Sequence, residues 1–149
     1  MSPLLRPATE ADAPLLAAIL GDWVEATPWM PRLHTRDEDR AFLGSLVAKG
    51  QVTVAVEDDR PCAFLGRDGT EIGQLYVAEG CRRRGIGRAL LDHAKEASHE
   101  LWLWCFEANR AARAFYEAEG FAEDHRTDGA GCEERLPDIR FLWRGEEVR

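Results

Sequence analysis

The residues of this chain best suited to holding a ligand lie in one short run, Arg82-Arg83-Arg84-Gly85-Ile86-Gly87-Arg88. Four arginines surround two glycines with no acid among them, in a chain whose 27 acidic and 19 basic residues give a formal charge of −8. Residues 71–77 read as a strand, and Ile86, Leu90, Ala94 and Ala97 share one side of a helix predicted over residues 85–97. A strand, a glycine turn and a helix N-terminus in that order turn successive backbone N–H groups toward one point. The new helix adds about half a positive charge there. This is chemistry for an anion. Glycines suit it because a side chain would hold a phosphate away from the main chain. A dinucleotide fingerprint wants a third small residue where Leu90 stands. A P-loop wants Gly-Lys-Ser/Thr, and both lysines, Lys49 and Lys95, lie elsewhere. A solvated arginine face after an ordinary turn is the alternative. Four arginines behind a strand favour a diphosphate.

Other reactive residues offer less. Ser2, Ser45 and Ser98 lack a nucleophile elbow. His93 and His99, six apart, do not share a helix face. Cys62, Cys81, Cys105 and Cys132 contain no Cys-x-x-Cys pair, so neither a zinc site nor a disulfide framework is expected. Trp102 and Trp104 read as core, and Asp128, Glu133, Glu134 and Asp138 as exposed loop charge; a cation-binding rim is the lesser alternative for that loop.

The elements that position the turn follow from periodicity and breakers. Residues 3–6 suggest a short strand and residues 10–20 a helix, with Pro14 in its first turn. Residues 22–34, rich in tryptophan and proline, read as irregular. Thr35-Arg36-Asp37-Glu38 has the form of a capping box, so a second helix is expected to Lys49, stopped by Gly50. Val52, Val54 and Val56 alternate, residues 62–66 return, and residues 71–77 complete an antiparallel meander. Residues 101–106 are apolar throughout, which predicts a strand buried on both faces. With the helix before it, this strand makes a right-handed parallel crossover from residues 71–77. A helix over residues 110–119 ends at Gly120, and closing strands start at Phe121 and span residues 139–143. The fold class is α/β, with one mixed sheet in a single domain over residues 1–149.

Two motifs together resemble the GCN5-related N-acetyltransferase (GNAT) superfamily. Arg82-x-x-Gly85-x-Gly87 matches its Q/R-x-x-G-x-G/A signature. Asn109-x-x-Ala112-x-x-Phe115-Tyr116-x-x-x-Gly120-Phe121 is similar to a second family segment. The resemblance covers about residues 71–121. It implies acetyl-coenzyme A as co-substrate, with the pyrophosphate on the backbone of Arg83, Arg84, Gly85, Ile86, Gly87 and Arg88, and Arg82 beside it. The pantetheine arm would lie along Leu75, Tyr76 and Val77, where the family's sheet splays to admit the thioester, and an N–H near Leu75 would meet the oxyanion. Asn109 would hold the pantetheine amide, although Asn before a helix is also a favoured N-cap. Phe115 reads as core. Tyr116 would protonate the departing thiolate, against a gap of about 1.5 pKa units, or about 2 kcal/mol.

An amine acceptor needs a base, since deprotonating an alkylamine at neutral pH costs about 4–5 kcal/mol. Glu71 is the first candidate, with Glu107 and His34 in reserve. The acceptor, a small molecule or a protein amine, would be lined by residues 22–34 and 126–138. Net acidity argues against nucleic acid or an anionic membrane as partner, and mildly for a cationic acceptor. A cytoplasmic setting is expected, and family members are often dimers, so a homodimer is allowed. Two other readings stay open: a coenzyme A-binding sensor that has lost its chemistry, and a transferase for a longer acyl group.

Overall fold

A computed structural model describes residues 3–82 and 84–145. The chain runs through β1 (Leu4–Pro7), α1 (Ala13–Ala26), α2 (Arg36–Ala48), β2 (Val52–Glu57), β3 (Arg60–Asp68) and β4 (Glu71–Val77). It continues through α3 (Ile86–Glu96), β5 (Glu100–Phe106), α4 (Arg110–Ala118), β6 (Ala122–Thr127) and β7 (Asp138–Arg144). One seven-stranded sheet has the order β1-β2-β3-β4-β5-β7-β6. All its pairings are antiparallel except β4 with β5.

The capping box forms: Thr35 Oγ1 accepts from Glu38 N at 3.1 Å and Glu38 Oε1 from Thr35 N at 2.9 Å. Helix α1 runs further than its periodicity predicts. It carries through Asp22 and Trp23 to Ala26, because Trp23 and Leu20 still find apolar partners, and it closes where the Thr27 hydroxyl donates to Trp23 O at 2.6 Å. Only residues 27–34 of the segment expected to be irregular lie outside helix.

Helices cover both faces of the β2–β4 half. Leu16, Ala17 and Leu43 pack on Val52, Val54, Val56 and Phe64. On the opposite face Ile86, Leu90, Leu91, Ala94 and Tyr116 pack on Ala63, Leu65, Ile72, Leu101, Leu103 and Phe141. Leu91, rather than the exposed Ala97, completes the buried side of α3. The β5 half differs from expectation. Leu101, Leu103 and Cys105 are buried, but the other face of β5 is only partly covered, because α1 lies over β3 and β4. Trp104 is 39% exposed beside His125, and Trp102 is half-buried under the Arg140 guanidinium. Neither tryptophan is core.

What matters most for the site is where β4 leaves β5. The two pair only at Glu71–Trp102 and Ile72–Leu103. Directly after Ile72 the register of β4 against β3 slips by one residue at Gly73. Such a bulge bends the strand and steepens its twist. It also flips the side-chain alternation, so that Ile72, Leu75 and Val77 all pack on the α3 side. Beyond it, β4 and β5 part.

Candidate active site

The parted strands leave a cleft of about 840 Å³, floored by Leu75, Tyr76 and Val77 and closed on its other flank by Leu103, Cys105 and Phe106. Ala78 N donates to Cys62 O at 2.8 Å, so Ala78 and Tyr76 turn their main-chain groups toward β3. By strand alternation the N–H groups of Leu75 and Val77 point the other way, into the cleft. Val77 O accepts from Arg82 Nε at 3.3 Å on that side.

At one end the cleft meets the arginine-glycine turn. Gly85 caps α3 with φ +76°, a left-handed conformation that explains the glycine. Gly87 has a different reason. A Cβ there would stand 3.6 Å from Val77 Cγ2 and 3.7 Å from Phe115, ordinary contact, so the fold itself does not require it. Among the described residues no side chain caps α3, and the N–H groups of its first turn, Ile86, Gly87 and Arg88, have no intrahelical acceptor. These features fit an anionic group laid against bare main chain. Arg82 and Arg88 line the cleft, with Arg88 Nε 3.5 Å from Glu119. Arg84 does not. Its guanidinium is drawn 3.1 Å from Glu57, away from the cleft. Arg83 lies outside the described residues.

Asn109 caps α4, with Oδ1 accepting from Ala112 N at 3.2 Å, and still lines the cleft, so its Nδ2 amide remains as a donor there. Phe115 is half-buried and also lines the cleft, rather than being wholly core. Tyr116 is buried, and burial, followed by the Cys105 and Tyr76 neighbours, holds its phenol neutral well above the ordinary tyrosine range. Its proton is therefore harder to give up than two model groups would suggest. Cys105, in the same cleft, is pushed up to about 11 by burial.

Glu71 is misplaced for a base. It sits at the closed end of β4, opposite Trp102, and does not line the cleft. The physical reason is the late opening of the gap: the strand is still paired where Glu71 stands. Glu107 is exposed and 3.8 Å from Arg126. His34 lines a second cavity of about 410 Å³, with Nε2 2.7 Å from Glu133 Oε1.

Residues 22–34, expected to line the acceptor, do border the cleft, but the contacts they make there were not readable from the sequence. Trp23 of α1 packs edge-on against Tyr76 and against Trp29, and Trp29 against Phe106. This aromatic bridge spans the gap from β4 to β5 on the α1 side, and no spacing in the sequence announces it. Cys62 and Cys81 also come together: their Sγ atoms and a Glu57 oxygen lie within 4.8 Å of one another behind the turn. Burial, then Cys81 and Glu57, push Cys62 up to about 11.

Residues 48–123 match the acetyltransferase (GNAT) domain family. The chain is 31% identical over 140 residues to the peptidyl-lysine N-acetyltransferase YiaC of Escherichia coli, covering 90% of this chain and 94% of that protein. It is 29% identical over 142 residues to the peptidyl-lysine N-acetyltransferase YjaB of the same organism, covering 95% and 97%. The solution structure of apo YjaB superposes with a TM-score of 0.80 at 26% identity, over 98% of this chain and all of that one. The PaiA N-acetyltransferase from Thermoplasma acidophilum, solved in complex with coenzyme A, shares the fold, with a TM-score of 0.69 at 19% identity over 97% and 99% of the two chains. The chain belongs to the GNAT acetyltransferase family, and its seven-stranded mixed sheet with a parallel β4–β5 pair is that family's fold. Among the described residues no helix is long and apolar enough to cross a membrane.

Proposed function

We propose that the protein transfers an acetyl group from acetyl-coenzyme A to a primary amine by direct attack within a ternary complex. The observation that carries this reading is the gap itself. It joins the uncapped α3 N-terminus, two outward-facing β4 amides and a buried phenol in one continuous cleft. The names of YiaC and YjaB support a lysine side chain as the amine.

In this reading the N–H groups of Ile86, Gly87 and Arg88 take the diphosphate, aided by the Arg82 and Arg88 side chains. The Arg84 side chain, committed to Glu57, contributes only through its main chain. Leu75 and Val77 pair with the pantetheine arm as a strand would, and Asn109 Nδ2 donates to one of its carbonyls. Leu75 N–H takes the negative charge that grows on the thioester oxygen as nitrogen bonds to the acetyl carbon.

The acceptor arrives as an ammonium and must lose one proton before attack. The second cavity takes it through water, with the His34–Glu133 pair as acceptor, in place of the misplaced Glu71. After attack the nitrogen loses a second proton, and Tyr116 donates one to the sulfur as the C–S bond breaks. The high pKa of Tyr116 makes a lasting phenolate costly, so the proton lost by nitrogen must restore the phenol in the same event. Overall, ammonium and thioester become amide, thiol and one released proton.

The test is coenzyme A release across a panel of amines and lysine peptides. Tyr116→Phe should lower kcat by about 100-fold with the acetyl-coenzyme A Kd unchanged. Tight acetyl-coenzyme A binding without turnover of any amine would instead mark a sensor.

A further inference from the structure

We propose that the cavity beside Tyr76 is a subsite for a second positive charge on the acceptor, so that the preferred acceptor is a lysine flanked by another basic residue in a peptide. The inference rests on the acetyl-transfer reading for which amine reacts, but not for what the cavity holds.

The cavity lies on the α1–α2 face, and Tyr76 is common to its wall and to the cleft. Four carboxylates line it, Glu38, Asp39, Glu133 and Glu134, against one guanidinium, Arg32. An acidic cluster alone would be no more than a solvated rim, but Asp39 is different. It is 8% exposed, and its Oδ2 has no hydrogen-bond partner among the described residues. Its nearest opposite charge, Arg32 Nη2, stands 3.8 Å away, too far for a hydrogen bond. A buried carboxylate oxygen without a donor is costly to keep, and a cation in the cavity, met by the part of the Asp39 carboxylate that lines it, would offset that cost. The negative field reaches the boundary with the cleft: after burial, Glu134 and Asp39 are the groups that push the Tyr76 phenol up to about 12.

The rim argues for a peptide over a free polyamine. Leu33 and Phe42 line the cavity yet remain 44% and 48% exposed, broader apolar surface than the short methylene linkers of a polyamine would cover. Glu38 and Glu133 carry the charge outward on exposed side chains, where a polypeptide crossing the mouth would meet them. Arg32 holds a guanidinium near the place where the proposed one would bind.

Two peptides with one reactive lysine, flanked by arginine or by alanine, separate the outcomes. Binding is read from the fluorescence of Trp23 and Trp29, turnover from coenzyme A release. The arginine peptide should bind at least about tenfold tighter. Asp39→Asn and Glu134→Gln should shrink that preference to under about threefold, whereas Arg32→Met should enlarge it. Equal affinity for the two peptides, or tighter binding of spermidine than of either, overturns the proposal. So does a loss of preference in both Asp39→Asn and Arg32→Met, which would mean that the pair only anchors the loop. Asp39-dependent binding without coenzyme A release upholds the charge subsite and defeats the transfer reading. Release from both peptides with no preference does the reverse.

Discussion

The two ends of the cleft are built from different materials. At the turn, the groups offered to the cleft are main-chain amides set by a left-handed glycine, a bare second glycine and a helix start, all within residues 85–88. On the α1 face, the wall is made of side chains from segments far apart in sequence: Trp23 from α1, Trp29 after it, Tyr76 from β4 and Phe106 from β5. A main-chain site suits a group that every member of a family must hold, since it constrains few side chains. A side-chain site can change its preference without touching the backbone. The proposed acceptor cavity, with its surplus of carboxylates, is of the second kind.

Substitutions at the turn should break this contrast most sharply. Gly87→Val should weaken acetyl-coenzyme A binding by about 100-fold, as the loss of two charge-assisted hydrogen bonds would, while thermal stability changes little. Gly85→Ala should do the opposite in kind, lowering stability by about 1–2 kcal/mol because alanine is strained at φ +76°. Calorimetric titration and thermal melts on both variants decide it; equal losses in binding and stability at Gly87 would make that glycine structural.

At the other end, Trp29→Ala should raise the acceptor KM by about tenfold through loss of the aromatic bridge, and leave the acetyl-coenzyme A KM alone. A matching rise in both would show that the bridge shapes the whole cleft. The smallest effect concerns pH. The folded pKa of Tyr116 stands above its unfolded value near 10, so the stability it contributes is whole below about 10 and is lost only as pH climbs through the raised value. Assayed up to pH 10, kcat should show no alkaline fall from this phenol, which a pH–rate profile checks.

Local signals were readable because they act over a few residues. The capping box at Thr35, the hairpin alternation of Val52, Val54 and Val56, and the helix after Gly85 need no distant partner. Where a reading depended on what covers a surface, it missed. Six apolar residues at 101–106 suggested two buried faces, yet helices cover only one fully, and Trp104 stays open to solvent. The Cys-x-x-Cys rule saw nothing in Cys62 and Cys81, which β3 and the turn after β4 bring together across 19 positions.

By itself the sequence determined the order of strands and helices, the arginine-glycine turn at the start of α3 and the family, because periodicity, capping and glycine chemistry are local. Tertiary structure alone decided where the cleft opens. The bulge at Gly73 parts β4 from β5 one residue after Ile72, which leaves Glu71 in the closed sheet, and the docking of α2 and of the loop before β7 sets Asp39 and Glu134 in one cavity wall with Tyr76. Strand register and helix docking depend on the sum of many distant contacts, and no short window of residues contains that sum.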